Sequence, residues 1–254
     1  MQLEEHVLLM IKAEFFVQLI GAAFFLILNI YLAKQGFSDP EIANFISYRF
    51  LAVMLLAFPL GFYIKGKPLK PFFILGSLGV PTVAIALVLV VQYGLYQYLP
   101  ILFILWGIVF TLFQVSSLPY VMRNTAIHNQ SHAISLNYAT HSFGTILSGI
   151  IIFGFGQFMK EIDEGIILLF IAFIGFFGVY YLLKMKVDVV VPVKKGLQWK
   201  SYDWSLLLKA IIPTLIIAVG AGLTIPFINL FFFHNFQVDS TGFAVIGGVA
   251  SVLV

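Results

Sequence analysis

Long apolar runs, separated by short polar intervals, recur along almost the whole chain. A helix needs about 20 apolar residues to cross the hydrocarbon core of a bilayer. Runs of that length predict membrane-spanning helices at about 12–34, 41–64, 71–93, 98–122, 134–158, 165–185 and 205–233, and an eighth begins near Gly242. Only 10% of the residues are charged, so a soluble core could not bury this much apolar surface. The sequence therefore predicts an all-α polytopic membrane protein.

Transmembrane β-strands are the alternative to helices. The strands of a membrane barrel alternate in polarity over runs of about ten residues. The run "ILFILWGIVFTLF", which starts at Ile101, is apolar at odd and even positions alike, so it favours a helix. The N-terminal segment lacks the positive region and cleavage site of a secretory signal, which predicts a retained first span.

Basic residues are distributed unevenly between the two sides of the predicted bundle. With a cytoplasmic N-terminus, only Lys34 and Lys160 fall on the outer side, where acidic residues such as Asp39 and Glu164 collect. The cytoplasmic set is Lys12, Lys65, Lys67, Lys70, Arg123, Lys184, Lys186, Lys194, Lys195, Lys200 and Lys209. Because basic loops stay in the cytoplasm, we expect a multi-pass protein of the cell membrane with its N-terminus and linker inside. The formal charge of +3 then reflects topology and not a nucleic-acid partner.

Two parts of the chain are related by an internal repeat. The first span reads "GAAFFLILNIYLAKQGFSD" from residue 21, and the seventh reads "GAGLTIPFINLFFFHNFQVD" from residue 220. A shift of 200 residues places Asn29 on Asn229 and Asp39 on Asp239. The match indicates that the seventh span begins a second copy of the first bundle.

The longest polar interval, "KMKVDVVVPVKKGLQWKSYDW", separates the sixth span from the seventh and contains five lysines. Such an interval is typical of a linker between two bundles. The predicted domains are therefore a six-helix bundle at 1–186, a basic cytoplasmic linker at 187–204 and the start of a second bundle at 205–254.

Six helices, a basic linker and a second set of helices about 200 residues later resemble the plan of the major facilitator superfamily. The segment "GFSDPEIANFISYRF" is similar to the family's first outer loop and second helix, and "GAGLTIPFINLFF" to its seventh helix. The segment "SSLPYVMRNTAIHNQSHAISLNYATHSFGTILSG" resembles the region of the fourth and fifth helices in many bacterial members. The resemblance implies a facilitator-type six-helix bundle followed by the first one to two helices of the second bundle.

The resemblance also implies a longer transporter. A complete second half would extend about 130 residues beyond Val254. We therefore expect the chain to be the N-terminal part of a transporter, arising from an incomplete gene, a disrupted gene or a truncated protein.

The loop after the second span departs from the family's cytoplasmic signature, which reads roughly G-x-x-x-D-R-x-G-R-R. Gly61 matches the first glycine, and Lys70 supplies one late positive charge. Lys65 stands where the acid belongs, and Lys67 adds a further charge to the loop. In the family the acid is implied to lock the two halves in one state, so its replacement puts that lock in doubt. The lysines still predict a cytoplasmic, conformationally active loop.

Polar residues inside the apolar spans are the candidates for a transport cavity, because a buried charge is costly in a membrane and normally faces the bundle interior. The predicted substrate and coupling-ion cavity comprises Glu14, Gln18, Asn29, Arg49, Gln114, Asn137, His141 and Asn229. One face of the first span, at helical spacing, carries Glu14, Gln18, Gly21, Phe25 and Asn29. A similar face of the fifth span carries Asn137, His141, Gly144 and Ser148.

Each candidate has a structural alternative. Arg49 lies too deep to reach the outer surface easily, and we favour a cavity or coupling role over pairing with Glu14 or with a helix-end carbonyl. Glu14 is either a proton-coupling group or an interfacial residue near the cytoplasmic mouth. His141 could titrate near neutral pH or pack as a neutral side chain. Ser117 is expected to bond its own helix, and the glycines of the fifth and seventh spans are expected to pack helices closely.

The sequence thus predicts secondary active transport of a small solute by alternating access, coupled to protons or another ion. A non-transporting membrane sensor or partner of the same fold, or an inactive truncated transporter, is the alternative. The sequence has no nucleotide-binding loop, nucleophile motif or metal-ligand spacing, so no enzyme activity, cofactor or metal is predicted. The expected partners are a small-molecule substrate, protons and the lipid bilayer, and the protein is expected to be monomeric.

Overall fold

The computed structural model describes residues 3–159, 163–186 and 204–253, and every regular element in these ranges is helical. In chain order the α-helices are α1 (Glu5–Lys34), α2 (Asp39–Tyr63), α3 (Lys70–Gln92), α4 (Leu99–Asn124), α5 (Gln130–Phe158), α6 (Glu164–Gly175), α7 (Phe177–Lys184), α8 (Trp204–Thr224), α9 (Ile228–Phe236) and α10 (Ser240–Val252). Short 3-10 turns precede α4 and α5, and the turn Ile225–Phe227 connects α8 to α9.

Seven helical segments are long and apolar enough to cross a membrane within the described residues. They are α1, α2, α3, Tyr96–Asn124, Ile127–Phe158, Glu164–Lys184 and Trp204–Phe236. The predicted all-α multi-pass membrane protein is therefore confirmed at this level. The eighth predicted span is the shorter helix α10, and the predicted linker at 187–204 lies outside the described residues apart from its last residue.

The first helix is longer than predicted. It begins at Glu5, seven residues before the expected start of the first span. The added residues include Glu5 and His6, which the hydropathy pattern assigned to the segment outside the membrane. Glu14 consequently lies nine residues inside α1 instead of near a helix end.

The turn between α1 and α2 uses the predicted polar residues. Gly36 has a positive φ of 92°, a conformation that favours glycine, directly after α1 ends. The backbone N–H and hydroxyl of Ser38 both donate to Glu41, at 2.8 and 2.7 Å, and so form a capping box. The acidic residues of this loop therefore start a helix as well as marking one side of the bundle.

α1 runs through the centre of the bundle and contacts α3, α5, α6, α7 and α10. It packs parallel to α5, where the hydroxyl of Ser148 donates to the carbonyl of Leu19 at 2.9 Å. A Cβ atom added at Gly144 would lie 3.1 Å from backbone atoms of Gln18 and Leu19. The expected close packing by glycine is thus present in α5.

The glycines of the seventh span behave differently. Gly220 and Gly222 in α8 have no described heavy atom within 4 Å of an added Cβ, so the expected close packing there is wrong for the described part of the chain. Almost every described residue of α8 is exposed. Since α8 is apolar along its length, this surface is suited to lipid.

The bundle has two ends, which we name after α1. The Glu5 end holds the starts of α1 and α5, while the Lys34 end holds the end of α1 and the starts of α2, α6 and α10. The basic loop Lys65–Lys70 lies at the Glu5 end, because α2 runs away from the Lys34 end.

We predict that Gly144→Val lowers stability, because two branched methyl groups would press on the α1 backbone, and overpacking costs about 1–3 kcal/mol. Gly154→Val in the same helix is the matched control, since an added Cβ there meets no described atom within 4 Å. Thermal unfolding in detergent should show a lower Tm for the first variant only. Equal Tm values would contradict the packing of α5 on α1.

Candidate functional site

Two asparagines at equivalent positions of the repeat bind each other. Asn29 Nδ2 donates to Asn229 Oδ1 at 3.0 Å and to the Pro226 carbonyl at 2.7 Å. Asn229 Nδ2 donates in turn to the carbonyls of Phe25 and Leu26, at 3.1 and 3.3 Å. Asn29 and Asn229 are equivalent in the repeat, and so are Leu26 and Pro226. The bond from Asn29 to the Pro226 carbonyl therefore has its counterpart in the bond from Asn229 to the Leu26 carbonyl. The contacts are therefore reciprocal.

Reciprocity of this kind is the mark of a two-fold relation, in which each partner uses the same surface. Equivalent residues can touch only close to the axis that relates the two copies. Asn29 and Asn229 are 5% and 1% exposed, so the axis passes through a buried contact between α1 and α9. The residues that the sequence repeat relates thus also meet in space.

Next to this contact lies a cavity of about 1220 Å³, bounded by α1, α2, α4 and α5 on one side and by α8 and α10 on the other. Five predicted site residues line it: Gln18, Asn29, Arg49, Gln114 and His141. Glu14, Asn137 and Asn229 are buried beside it and do not line it. The lining is otherwise rich in aromatic and aliphatic side chains, including Phe24, Phe25, Leu28, Phe50, Phe103, Phe110 and Phe143.

Arg49 lies ten residues after the start of α2, about 15 Å along the helix axis. Its guanidinium carbon is 5.4, 5.5 and 5.7 Å from the ring centres of Phe110, Trp106 and Phe50. In the described ranges no acidic side chain pairs with it, and its buried Nε has no hydrogen-bond partner. Neither structural alternative, a pair with Glu14 or a bond to a helix-end carbonyl, is present.

Glu14 is held in a polar cluster between three helices. It is 1% exposed, and its Oε2 lies 2.6 Å from the hydroxyl of Ser117. The same hydroxyl lies 2.9 Å from Asn137 Oδ1. The Ser117 hydroxyl on α4 therefore bonds to side chains of α1 and α5, and the expectation that it bonds its own helix is wrong.

The predicted polar face of the fifth span divides into two parts. His141 faces the cavity, together with Ser135 and Ser142. Asn137 and Ser148 instead bind groups that belong to α4 and α1. These residues share one face of α5, as their spacing predicts. That face is wide enough to contact both the cavity and the neighbouring helices α1 and α4.

Polar contacts between the two repeats gather at the Lys34 end. Lys34 forms an ion pair with Glu164, whose Oε1 also accepts a hydrogen bond from Ser240 at 2.8 Å. His234 Nε2 lies 3.0 Å from Asp39 Oδ1. The bond from Ser240 joins α10 to α6, and the contact of His234 joins α9 to α2. The ion pair joins α1 to α6 within the first bundle. Sequence reasoning missed the role of Glu164, although its position at a helix start beside Asp163 was visible.

The basic loop after α2 is attached to its surroundings through backbone carbonyls. Arg123 donates to the carbonyls of Ile64 and Lys67, at 3.4 and 3.2 Å, and Lys70 donates to the carbonyl of Met185. The ammonium of Lys67 lies 3.1 Å from the ring centre of Tyr63. Lys65 and Gly61 are exposed. Arg123, which was assigned only to topology, therefore anchors this loop.

Comparison with known proteins adds no family: no family model matches the chain, and no curated protein matches it significantly. The resemblance to the major facilitator superfamily stays a prediction based on the residues quoted above. Within the part of the chain that the structure describes, no group of three or more His, Asp or Glu side chains could hold a metal ion.

We predict that Asn29→Ala, Asn229→Ala and the double variant destabilise the protein by similar amounts. Each single change removes bonds in both directions and leaves buried carbonyl or amide groups unpaired, which costs about 1–3 kcal/mol. Unfolding free energies in detergent should then give a coupling energy of at least about 0.5 kcal/mol. Asn235→Ala is the control, because Asn235 is exposed and bonds only within α9. Additive effects of the two single changes would contradict the reciprocal contact.

Proposed function

We propose that the chain belongs to the major facilitator superfamily and carries out secondary active transport of a small solute across a cell membrane by alternating access. The observation that carries the proposal is the cavity between the two repeats, placed beside the reciprocal contact of Asn29 and Asn229. Transporters built from repeats bind substrates at the interface of the repeats. Polar residues collect around this cavity in a chain that has few of them.

Unequal contacts at the two ends of the bundle support alternating access. The repeats are joined at the Lys34 end by the bond that Ser240 donates to Glu164 and by the contact of Asp39 with His234, whereas the ion pair of Lys34 with Glu164 lies within the first bundle. The side chains of Asp39 and His234 are 55% and 48% exposed, and a solvated pair of this kind stabilises by about 1 kcal/mol or less. Contacts this weak can break and form in every cycle. Their opening would expose the cavity on the Lys34 side.

The cluster around Glu14 supports coupling to protons. Ser117 has a single hydroxyl proton, yet its oxygen lies within hydrogen-bond distance of both Glu14 and Asn137. Both contacts are satisfied together when a protonated Glu14 donates to Ser117 and Ser117 donates to Asn137. Loss of that proton would leave a buried carboxylate in the membrane interior, which is costly without a cation. A proton on Glu14 is therefore linked to the packing of α1, α4 and α5.

We expect Arg49→Ala to abolish gradient-driven flux. The test is uptake into proteoliposomes under a proton gradient, with a library of small solutes as probes and with equal amounts of reconstituted protein. Lys184→Ala is the control and should leave flux unchanged, because this exposed cation lies outside the cavity and bonds to Tyr180 within α7. Flux that is equal in Arg49→Ala and the parent protein would remove Arg49 from the mechanism. If no solute is moved under any gradient, the chain is not a transporter.

We predict that Glu164→Ala increases access to the cavity from the Lys34 side. The chain has no cysteine, so Ser142→Cys places the only thiol in the cavity wall. A membrane-impermeant maleimide added from the Lys34 side should label this thiol several times faster after Glu164→Ala, because the acceptor for the Ser240 hydroxyl is lost. Gln35→Cys, in the exposed loop after α1, is the control and should label equally in both backgrounds. An unchanged rate at position 142 would show that these contacts do not close the cavity.

A further inference from the structure

Three buried hydrogen-bond donors without a partner gather at the wall between α2 and α4. They are Arg49 Nε, Trp106 Nε1 and Gln114 Nε2, none of which has an acceptor among the described residues. Trp106, Phe110 and Gln114 are spaced by four residues, so they share one face of α4. The Arg49 guanidinium lies over two of the rings on that face, those of Trp106 and Phe110.

No acidic side chain among the described residues that line the cavity balances the positive charge of Arg49. Arg49 is the one Lys, Arg, Asp or Glu among the described residues that line the cavity. A cation over an aromatic ring is attracted by the negative face of the ring. Removing an ion from water costs more than such contacts return. The three rings offset part of this cost, and an acceptor with negative charge would offset the remainder.

We propose that the cavity binds a small organic anion whose charged oxygens contact Arg49 and Gln114. A guanidinium offers paired N–H groups that match the two oxygens of a carboxylate or a phosphate. The amide of Gln114 supplies a neutral donor on the neighbouring helix. This inference rests on the proposed function in one respect, since it takes the bound anion to be the transported solute.

The rest of the cavity defines the body of that anion. The lining around the charged wall is made of phenylalanines and aliphatic residues, among them Phe24, Phe25, Leu28 and Phe143. An apolar group buried against them is stabilised in proportion to the surface it removes from water. The favoured ligand is therefore an amphipathic anion with an aromatic or aliphatic body. Cations are repelled by Arg49, and a neutral analogue brings no negative charge to balance the guanidinium.

The experiment compares two probes of nearly the same shape, naphthalene-2-carboxylate and naphthalene-2-carboxamide. Equilibrium binding is measured on the purified full chain in phosphatidylcholine nanodiscs. The carboxylate should bind at least tenfold more tightly than the amide. Arg49→Gln should remove this preference, Arg49→Lys should retain part of it, and Arg123→Gln should leave it unchanged.

Gln114→Leu tests the same wall while Arg49 is intact. It should weaken carboxylate binding several-fold, so that the proposal does not depend on the folding of a single variant. Equal binding of the two probes, no binding of the carboxylate, or a preference that persists in Arg49→Gln would each overturn the anion site.

Two further measurements, of flux and of competition by an anionic lipid, separate this inference from the proposed function and identify the source of the anion. Carboxylate binding that depends on Arg49, without flux in proteoliposomes, would support the site and overturn transport. Gradient-driven flux of neutral solutes without any charge preference would support transport and overturn the site. Phosphatidylglycerol added to the nanodiscs should leave naphthalene-2-carboxylate binding unchanged if the anion is a soluble one. Competition by this lipid would support the same anion site with a lipid headgroup as its occupant.

Discussion

Inside a bilayer there is little water to pair with a polar side chain, and this constraint organises the whole bundle. Two polar side chains on the central helix α1 meet partners from other elements: Glu14 meets Ser117, and Asn29 meets Asn229. The backbone of α1 also receives Ser148. These contacts determine which helices surround α1. The exceptional group is Arg49, which faces the cavity with aromatic rings around it and no protein acceptor in the described ranges.

The cavity follows from the way in which the two repeats meet. They approach closely beside Asn29 and at the Lys34 end, where Ser240 meets Glu164 and His234 meets Asp39. α5 and α10 pack through small residues, with the Ala244 carbonyl 2.9 Å from a Cβ added at Gly149. Between these contacts the helices diverge and leave about 1220 Å³. The proposed transport therefore uses a space that the repeat itself creates.

Much of this arrangement could be predicted from the sequence, because hydropathy measures how much of a helix suits lipid. The spans, their approximate ends and five of the cavity residues follow from that property. The repeat related Asn29 to Asn229, but equivalence alone does not show that two residues lie on the axis. The bond from Ser117 across to α1 could not be predicted either, since a serine can bond its own helix or a neighbour equally well. Which helices pack together depends on close contacts, such as Gly144 on α1, that a single sequence does not display.

The position of the asparagine contact along α1 has a mechanical consequence. Asn29 lies five residues from Lys34 but 24 residues from Glu5, which corresponds to lever arms of about 7 and 36 Å. If the halves turn about this fulcrum, the same rotation moves the Glu5 end roughly five times as far as the Lys34 end. Breaking the few polar contacts at the Lys34 end would then be accompanied by a much larger displacement of the helices at the Glu5 end.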